Sequence, residues 1–232
     1  MDSKQQWLEA MWPRVRSRLP APPAAVLELG CGSLGGFVPW LDGDGYQALG
    51  IDPSAPEGPA YRRTEFERSE LPGRVDAVVA SVSLHHVADT REVLDRIAGA
   101  LKPGGTVVVI EWDWESFDEP SARWAFERLD WGAEPKGWLH RGHEHWRASG
   151  LPWDTYLREW AGGHGLHSAQ SLVAGLDERF ERVSCERGAY LFPELGQTSE
   201  ADELQAIEAG LVRALRIDYV GVTSRAASPG TR

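Results

Sequence analysis

Alternating strand and helix patterns between residues 25 and 110 constrain the fold of this chain more than any other feature. Apolar runs typical of buried strands cover residues 25–30, 46–52, 75–82 and 106–110, with a weaker candidate at 61–66. Helical patterns cover residues 34–42 and 91–101, and a Lys-Pro-Gly-Gly turn follows at 102–105. Strands that alternate with helices form parallel sheets covered on both faces. The sequence therefore predicts an α/β fold with a doubly wound, mostly parallel sheet.

The pattern changes after residue 110. Eight of the eleven tryptophans lie within residues 112–160, and no strand pattern recurs before residues 180–192. A helical pattern at 199–215 and a last strand at 217–222 follow. We therefore expect seven strands, with a helical insertion between the fifth and the sixth.

A glycine-rich loop joins the first predicted strand to the next helix. Gly30, Gly32 and Gly35 form a GxGxxG pattern, which lets a backbone turn sharply and approach a ligand closely. Glu28 stands where a dinucleotide-binding strand usually carries an apolar residue, and its carboxylate suits the ammonium of an amino-acid cofactor. Asp52 ends the second strand, 20 residues after Gly32, where a carboxylate can accept hydrogen bonds from ribose hydroxyls.

Four segments in this order resemble those of class I S-adenosylmethionine-dependent methyltransferases, especially the branch that acts on small molecules. They are the Glu28 loop with Asp52, residues 67–72 (ERSELP), residues 75–87 (VDAVVASVSLHHV) and residues 101–105 (LKPGG). The resemblance implies a Rossmann-like sheet and S-adenosylmethionine as cofactor. It also implies that the Glu28 loop holds the methionine part and that Asp52 holds the ribose.

The same resemblance implies a wider set of cofactor contacts along the strand ends. Residues 67–72 correspond to an element beside the adenine, although Glu67 and Arg68 depart from the acid-Ala pair usual there. The complete expected set is Glu28, Gly30, Cys31, Gly32, Asp52, Pro53, Phe66, Glu67, Arg68, Ser81, Val82 and His86.

These expectations divide the chain into five parts. They are an N-terminal helix or lid (1–23), a cofactor-binding core (24–112), a helical substrate cover (113–179), C-terminal strands and a helix that complete the sheet (180–223), and a disordered tail (224–232).

Methyl transfer is an in-line displacement, so alignment of the reactants and exclusion of water supply much of the acceleration. A base is needed only when the acceptor must lose a proton. His86 and then His85 are the first candidates, because they follow the fourth strand and a histidine side chain exchanges protons near neutral pH. Glu111, at the end of the fifth strand, is a weaker candidate. Each of them also fits a purely structural role.

The tryptophan-rich insertion is the expected substrate cover. Trp112, Trp114 and Tyr156 are candidate substrate contacts, and the acids interleaved with the tryptophans suggest an aromatic, anionic pocket for a flat or cationic acceptor. A helical subdomain core with solvated acids explains the same pattern equally well. The His140, His143 and His145 cluster lacks a recognisable ligand spacing, so no metal site is expected.

The overall charge guides the choice of partner. The formal net charge of −11 disfavours binding to nucleic-acid phosphates, and a small-molecule methyl acceptor is expected instead. No stretch approaches 18 uninterrupted apolar residues, and the N-terminus lacks the apolar core of a signal peptide. We therefore expect a cytoplasmic protein without a membrane partner. The sequence predicts no particular oligomeric state.

Two other functions fit part of the pattern. An NAD-dependent oxidoreductase shares GxGxxG and the strand-end acid, but Glu28 and residues 83–87 and 101–105 argue against it. A non-catalytic cofactor-binding protein shares every binding motif. Among methyltransferases, O-, N- and C-methylation all stay open, with O- or N-methylation favoured.

Overall fold

A computed structural model describes residues 2–71, 73–132 and 136–224 of the chain. Its centre is a seven-stranded sheet in the order β3-β2-β1-β4-β5-β7-β6. The strands are β1 Ala25–Leu29, β2 Gln47–Ile51, β3 Tyr61–Arg62, β4 Val75–Ser81, β5 Leu101–Trp112, β6 Glu181–Gly188 and β7 Arg216–Val222. The first five strands run parallel, and β7 is antiparallel to both β5 and β6. The predicted doubly wound, mostly parallel sheet is confirmed.

Helices cover both faces of the sheet. They are α1 Ser3–Arg18, α2 Val38–Gly43, α3 Thr90–Ala100, α4 Glu119–Phe126, α5 Trp138–Ser149, α6 Trp153–Gly163, α7 Ala169–Asp177 and α8 Glu200–Glu208. Ile97 of α3 and Leu172 of α7 are buried in the core on one face, and Met11 of α1 and Leu41 of α2 are buried on the other. Strands between two helical layers must be apolar on both sides, which explains the unbroken apolar runs in the sequence.

The inserted helices α4 to α7 lie between β5 and β6, and α4 to α6 build an aromatic core of their own. Phe117, Trp124, Phe126 and Trp153 are buried there together with Trp112 at the end of β5. Trp153 contacts Phe117 edge to face, with ring centroids 5.1 Å apart. Much of the tryptophan signal in the sequence therefore reflects packing.

Two elements of the glycine-rich half are shorter than expected. The helix expected over residues 34–42 begins only at Val38, because Gly35 (φ +84°) and Gly36 (φ +59°) hold the preceding segment in turns. The weak strand at 61–66 contains only two strand residues, and a 3₁₀ turn starts at Phe66. The turn at 102–105 is a bulge inside β5, opposite the Val75–Ala77 step of β4.

The C-terminal elements also end early. The strand expected over 180–192 ends at Gly188, because the amides of Tyr190, Leu191 and Phe192 donate to the Glu203 carboxylate instead of to a neighbouring strand. The helix expected over 199–215 ends at Glu208, and Gly210 (φ +71°) turns the chain toward β7.

The remaining predictions on chain organisation concern the tail and the membrane. Of the tail expected over 224–232, residues 225–232 lie outside the described residues. Across the described ranges, no helix is both long enough and apolar enough to cross a bilayer.

Candidate functional site

The carboxyl ends of β1, β2 and β4 border a cavity of about 480 Å³, here called the first cavity. Ligands of parallel sheets bind at this edge. Seven residues of the expected cofactor set line this cavity, namely Glu28, Gly30, Cys31, Gly32, Asp52, Ser81 and Val82. The structure therefore brings these seven residues together around one cavity, and their role in cofactor binding stays a prediction.

Glu28 is buried at the base of the first cavity and is only 1% exposed. Its two carboxylate oxygens accept hydrogen bonds from the Phe37 N–H, at 3.0 and 2.8 Å. Burial raises the pKa of Glu28 to about 8, although the amides of Phe37 and Val38 oppose the shift. A Cβ at Gly36 would lie 2.0 Å from the Glu28 carboxylate, so the loop closes around this side chain only because residue 36 is glycine.

The glycine loop also contacts the segment after β4. Gly30 has φ +76°, and a Cβ there would lie 2.3 Å from the Cβ of Ser83. Ser83 in turn donates to the Leu29 carbonyl at 3.1 Å. Val82 lines the first cavity with φ +51°, a conformation that is strained for a β-branched residue. The walls from β1 and β4 are therefore fixed against each other.

Asp52 closes the other end of this edge. Its Oδ1 accepts from the Ser54 N–H at 2.6 Å, and the side chain lines the first cavity. Burial raises the pKa of the Cys31 thiol, which lies between β1 and β2, to about 12. The Cys31 thiol therefore stays protonated at neutral pH.

The other expected cofactor contacts do not line the first cavity. Phe66 is buried in the core, and Arg68 pairs with Glu65 at 3.0 Å on the surface. Pro53, Glu67 and His86 also lie outside its lining, and Pro72 of the ERSELP segment lies outside the described residues. Their role in binding stays a prediction.

His85 and Glu111 form a buried pair beside the site. His85 Nδ1 lies 2.6 Å from Glu111 Oε2, and both side chains are 3% exposed. Glu111 also accepts from the amides of Ser83 (2.9 Å), Leu84 (2.7 Å) and Trp112 (3.1 Å). Burial opposes the ionisation of Glu111, but His85 and the amides of Trp112 and Leu84 lower its pKa overall. The pair connects the end of β5 to the segment after β4.

His86 stands apart from both cavities. Its side chain is exposed in part, and desolvation of the ring together with the neighbouring His85 lowers its pKa. Neither histidine, nor Glu111, lines either cavity in the described part of the chain. Their catalytic role therefore stays a prediction that their placement does not support.

The second cavity, of about 230 Å³, lies within the helical insertion. Trp112 and Tyr156, two of the three expected substrate contacts, line it, whereas Trp114 donates its indole N–H to the His167 carbonyl at 3.1 Å instead. Trp138 and Arg141 line both cavities. The Trp112 ring stacks on Tyr190, a residue of the first cavity, at 5.7 Å and 3°. The two cavities therefore share a wall.

The acids of the insertion do not line the second cavity. Asp113 pairs with Arg187, Asp118 with Arg213 and Glu144 with Lys136. Glu134 lies outside the described residues. Among the described residues, the charged or titratable side chains in this lining are Arg141, His145 and His164, besides Tyr156. The pocket is aromatic as expected but basic, because the described acids lie outside its lining, and Asp113, Asp118 and Glu144 pair with arginine or lysine side chains.

The three histidines of α5 lie in three different surroundings. His140 is buried, with Nε2 2.9 Å from the Asp130 carbonyl, and His143 contacts Phe126 at 4.7 Å between ring centroids. His145 lines the second cavity. Within residues 2–71, 73–132 and 136–224, no group of three or more His, Cys, Asp or Glu side chains could hold a metal.

Sequence reasoning missed the covering wall of the first cavity. Ser3, Lys4, Trp7 and Leu8 of α1 line it, as does Tyr190 after β6. Trp7 donates its indole N–H to Ser81 Oγ at 3.1 Å, and its ring lies 5.3 Å from that of Tyr190. No local motif marks these residues, and the sequence analysis pointed to them only through the expected N-terminal helix or lid at 1–23.

Comparisons with known proteins agree with this geometry. Over 107 residues, the chain is 34% identical to the ubiquinone biosynthesis O-methyltransferase of Nitrobacter winogradskyi, covering 40% of this chain and 41% of the relative. It is 39% identical over 64 residues to an uncharacterized methyltransferase of Mycobacterium tuberculosis, covering 27% and 30% of the two chains. The chain thus spans less than half the length of these curated relatives.

Solved structures share the fold at low sequence identity. An S-adenosylmethionine-dependent methyltransferase from Mesorhizobium loti matches with a TM-score of 0.57 and 21% identity, over 93% of this chain and 99% of that one. The N-methyltransferase NodS from Bradyrhizobium japonicum, crystallised with S-adenosyl-L-homocysteine, matches with a TM-score of 0.51 and 16% identity, over 93% and 86%. A family profile described as a methyltransferase domain matches residues 4–179. This match covers more than half of the chain, which therefore belongs to the methyltransferase family that the profile describes.

Proposed function

We propose that this protein transfers a methyl group from S-adenosylmethionine to an oxygen atom of a small-molecule acceptor. The observation that carries the proposal is the wall of Trp138 and Arg141 shared by the two cavities. The first cavity would hold the cofactor and the second the acceptor. The reacting groups would then meet at this wall, in the close alignment that a displacement needs.

The residues of the first cavity fit the family's cofactor. Two carboxylates, Glu28 and Asp52, lie at neighbouring strand ends, and the intervening loop is narrow because Gly30 and Gly36 allow close packing. Glu28 and the loop would hold the amino-acid part, and Asp52 the ribose. When bound, the cofactor supplies an electrophilic methyl group on a sulfonium.

The protein's own contribution is alignment, exclusion of water and removal of a proton. Trp7, Trp138 and Tyr190 cover the first cavity with apolar rings. A hydroxyl acceptor must lose its proton, and we propose His164 as the base. Its Nδ1 lies 2.7 Å from the Trp160 carbonyl, so Nδ1 carries the proton and Nε2 is left as an acceptor. His164 lines the second cavity.

Three observations support a small acceptor methylated on oxygen. The second cavity is smaller than the roughly 300–1,000 Å³ of pockets for drug-sized ligands. The relatives in Nitrobacter, Bradyrhizobium and Rhodopseudomonas carry the name O-methyltransferase. The net charge of −11 disfavours a nucleic-acid acceptor.

Incubation with tritium-labelled S-adenosylmethionine and two mixtures, one of simple phenols and one of aromatic amines, tests this proposal. We expect label in the phenols, and we expect Asp52→Asn to raise KM for the cofactor. The exposed control Glu208→Gln should leave both unchanged.

His164→Gln should lower kcat at unchanged cofactor KM. Label only in amines would contradict O-methylation. Binding of S-adenosylhomocysteine without transfer to either mixture would favour the non-catalytic alternative.

A further inference from the structure

We propose that the acceptor is a compact aromatic anion and that Arg141 binds its negatively charged oxygen atoms. This inference rests on the proposed function, because it places the acceptor in the second cavity. It adds the chemical class of the acceptor and the residue that selects it.

The first argument is the polarity of two buried atoms. Trp112 Nε1 and Tyr156 Oη are buried without a hydrogen-bond partner among the described residues, and both side chains line the second cavity. The two residues are 4% and 8% exposed. Buried polar groups in proteins are almost always paired, so these atoms call for a ligand. An indole N–H can only donate, and burial raises the pKa of Tyr156, which keeps its hydroxyl protonated. An acceptor rich in oxygen atoms satisfies both groups, whereas an ammonium does not.

The second argument is the charge of the lining. Arg141 donates from Nη1 to the Lys136 carbonyl at 2.5 Å, and no carboxylate of the described residues lies within ion-pair distance of it. His145 and His164 line the same cavity, and none of the described acids does. The first cavity differs, because Glu28, Asp52 and Glu194 line it together with Lys4 and Arg141. Among the described residues, acids therefore offset the cations that line the first cavity, whereas Arg141 meets no acid in the lining of the second cavity.

The third argument is the shape of the space. The rings of Trp112, Phe117, Trp138, Trp153 and Trp160 form much of the wall, and a volume of about 230 Å³ limits the occupant to a compact molecule. Flat rings stack well against such walls. Together with the donors and with Arg141, this favours an aromatic ring that carries a hydroxyl and a carboxylate.

A matched set of three ring compounds tests the charge preference directly by binding. The probes are 3-hydroxybenzoate, 3-hydroxybenzamide and 3-(aminomethyl)phenol, titrated against tryptophan fluorescence with S-adenosylhomocysteine at saturation. We expect the carboxylate to bind about tenfold more tightly than the amide, and the ammonium to bind most weakly. The preference should shrink as ionic strength rises, because Arg141 is exposed.

Variants of two arginines on α5 test whether Arg141 causes the preference for the carboxylate. Arg141→Gln should abolish the difference between carboxylate and amide, and Arg141→Lys should retain part of it. Arg147→Gln removes an exposed arginine of α5 that lines neither cavity, and it should change nothing. Tyr156→Phe should weaken binding of the carboxylate and the amide without altering their ratio.

The inference is overturned if the amide or the ammonium binds as tightly as the carboxylate, if Arg141→Gln keeps the preference, or if no probe binds at millimolar concentration. Its failure differs from failure of the proposed function. If the wild-type protein did not bind S-adenosylhomocysteine, the proposed function would be refuted, whereas the anion site would not. Selective binding of the carboxylate without methylation of any hydroxyl would support the anion site and contradict O-methylation.

Discussion

Single residues decide the chemistry of the first cavity, and Glu28 shows how. The same carboxylate fastens the glycine loop to the start of α2 and faces the space expected for the cofactor's amino-acid part. Burial makes its negative charge costly, which raises its pKa to about 8. A bound cation would offset that cost, so the energetic penalty in the free protein favours a positively charged ligand.

This pKa predicts a dependence of stability on pH. The folded protein keeps a proton on Glu28 that the unfolded chain releases above about pH 4.5, so this residue's contribution is present below that pH and is lost as pH rises toward 8. Glu28→Gln cannot ionise. Its free energy of unfolding relative to wild type should therefore increase from pH 5 to pH 8.5, by at most about 1.4 kcal/mol per pH unit.

Urea unfolding at both pH values measures the effect of Glu28→Gln. Glu208→Gln, which removes an exposed carboxylate, should follow the wild-type pH dependence. Parallel curves for wild type and Glu28→Gln would contradict the raised pKa.

The His85–Glu111 pair connects two elements beside the site, namely the end of β5 and the segment that follows β4. A single carboxylate at the end of β5 holds three backbone amides and one imidazole. Ser81, the last residue of β4, and Val82, the first residue after it, line the first cavity. The pair therefore acts on the site through backbone position.

Glu111→Gln should lower the free energy of unfolding at pH 7 by about 3 kcal/mol, because the amide nitrogen cannot accept and leaves buried donors unpaired. The Glu111 pKa is lowered in the folded state, so its stabilisation is present above the ordinary Glu pKa and is lost as pH falls through the folded value. The difference in free energy of unfolding between wild type and Glu111→Gln should therefore become smaller at acidic pH.

Chemical denaturation at pH 7 and pH 4 measures the role of Glu111. His86→Ala, at an exposed neighbour, should cost less than about 0.5 kcal/mol. If His86→Ala abolished methyl transfer with unchanged stability, the catalytic role first expected for His86 would replace that of His164.

The packing of the whole molecule determines which residues cover the first cavity, and these residues were the hardest to predict from the sequence. Glu28, Asp52 and Val82 lie at the first cavity because each stands at or directly after the end of a strand, and strand ends of a parallel sheet converge. Their common location could be predicted from the sequence, and their role in binding stays a prediction. Trp7, Trp138 and Tyr190 come from distant parts of the chain. Their convergence depends on how α1 and the insertion pack over the sheet, which no spacing in the sequence encodes.

Helix α1 both packs in the core and covers the first cavity, so mutations of two of its tryptophans should have different effects. The Trp7 indole N–H donates to Ser81, and Trp7 lines the first cavity, whereas Trp12 stacks on Phe37 and Trp40 and does not line it. Trp7→Ala should weaken S-adenosylhomocysteine binding about tenfold, because a wall of the first cavity is lost. Trp12→Ala should lower stability while affinity is kept.

Calorimetry of S-adenosylhomocysteine binding, with thermal unfolding of each variant, separates these effects. Equal losses of affinity in Trp7→Ala and Trp12→Ala would show that α1 contributes only to folding. Deleting α1 is a poorer test, because Met11 and Val15 are fully buried in the core.

The wall shared by the two cavities has a thermodynamic consequence. Since Trp138 and Arg141 border both chambers, any rearrangement of these side chains by one ligand alters the free energy with which the other is bound. Linkage makes that effect mutual: whatever factor the first ligand applies to the dissociation constant of the second, the second applies to that of the first.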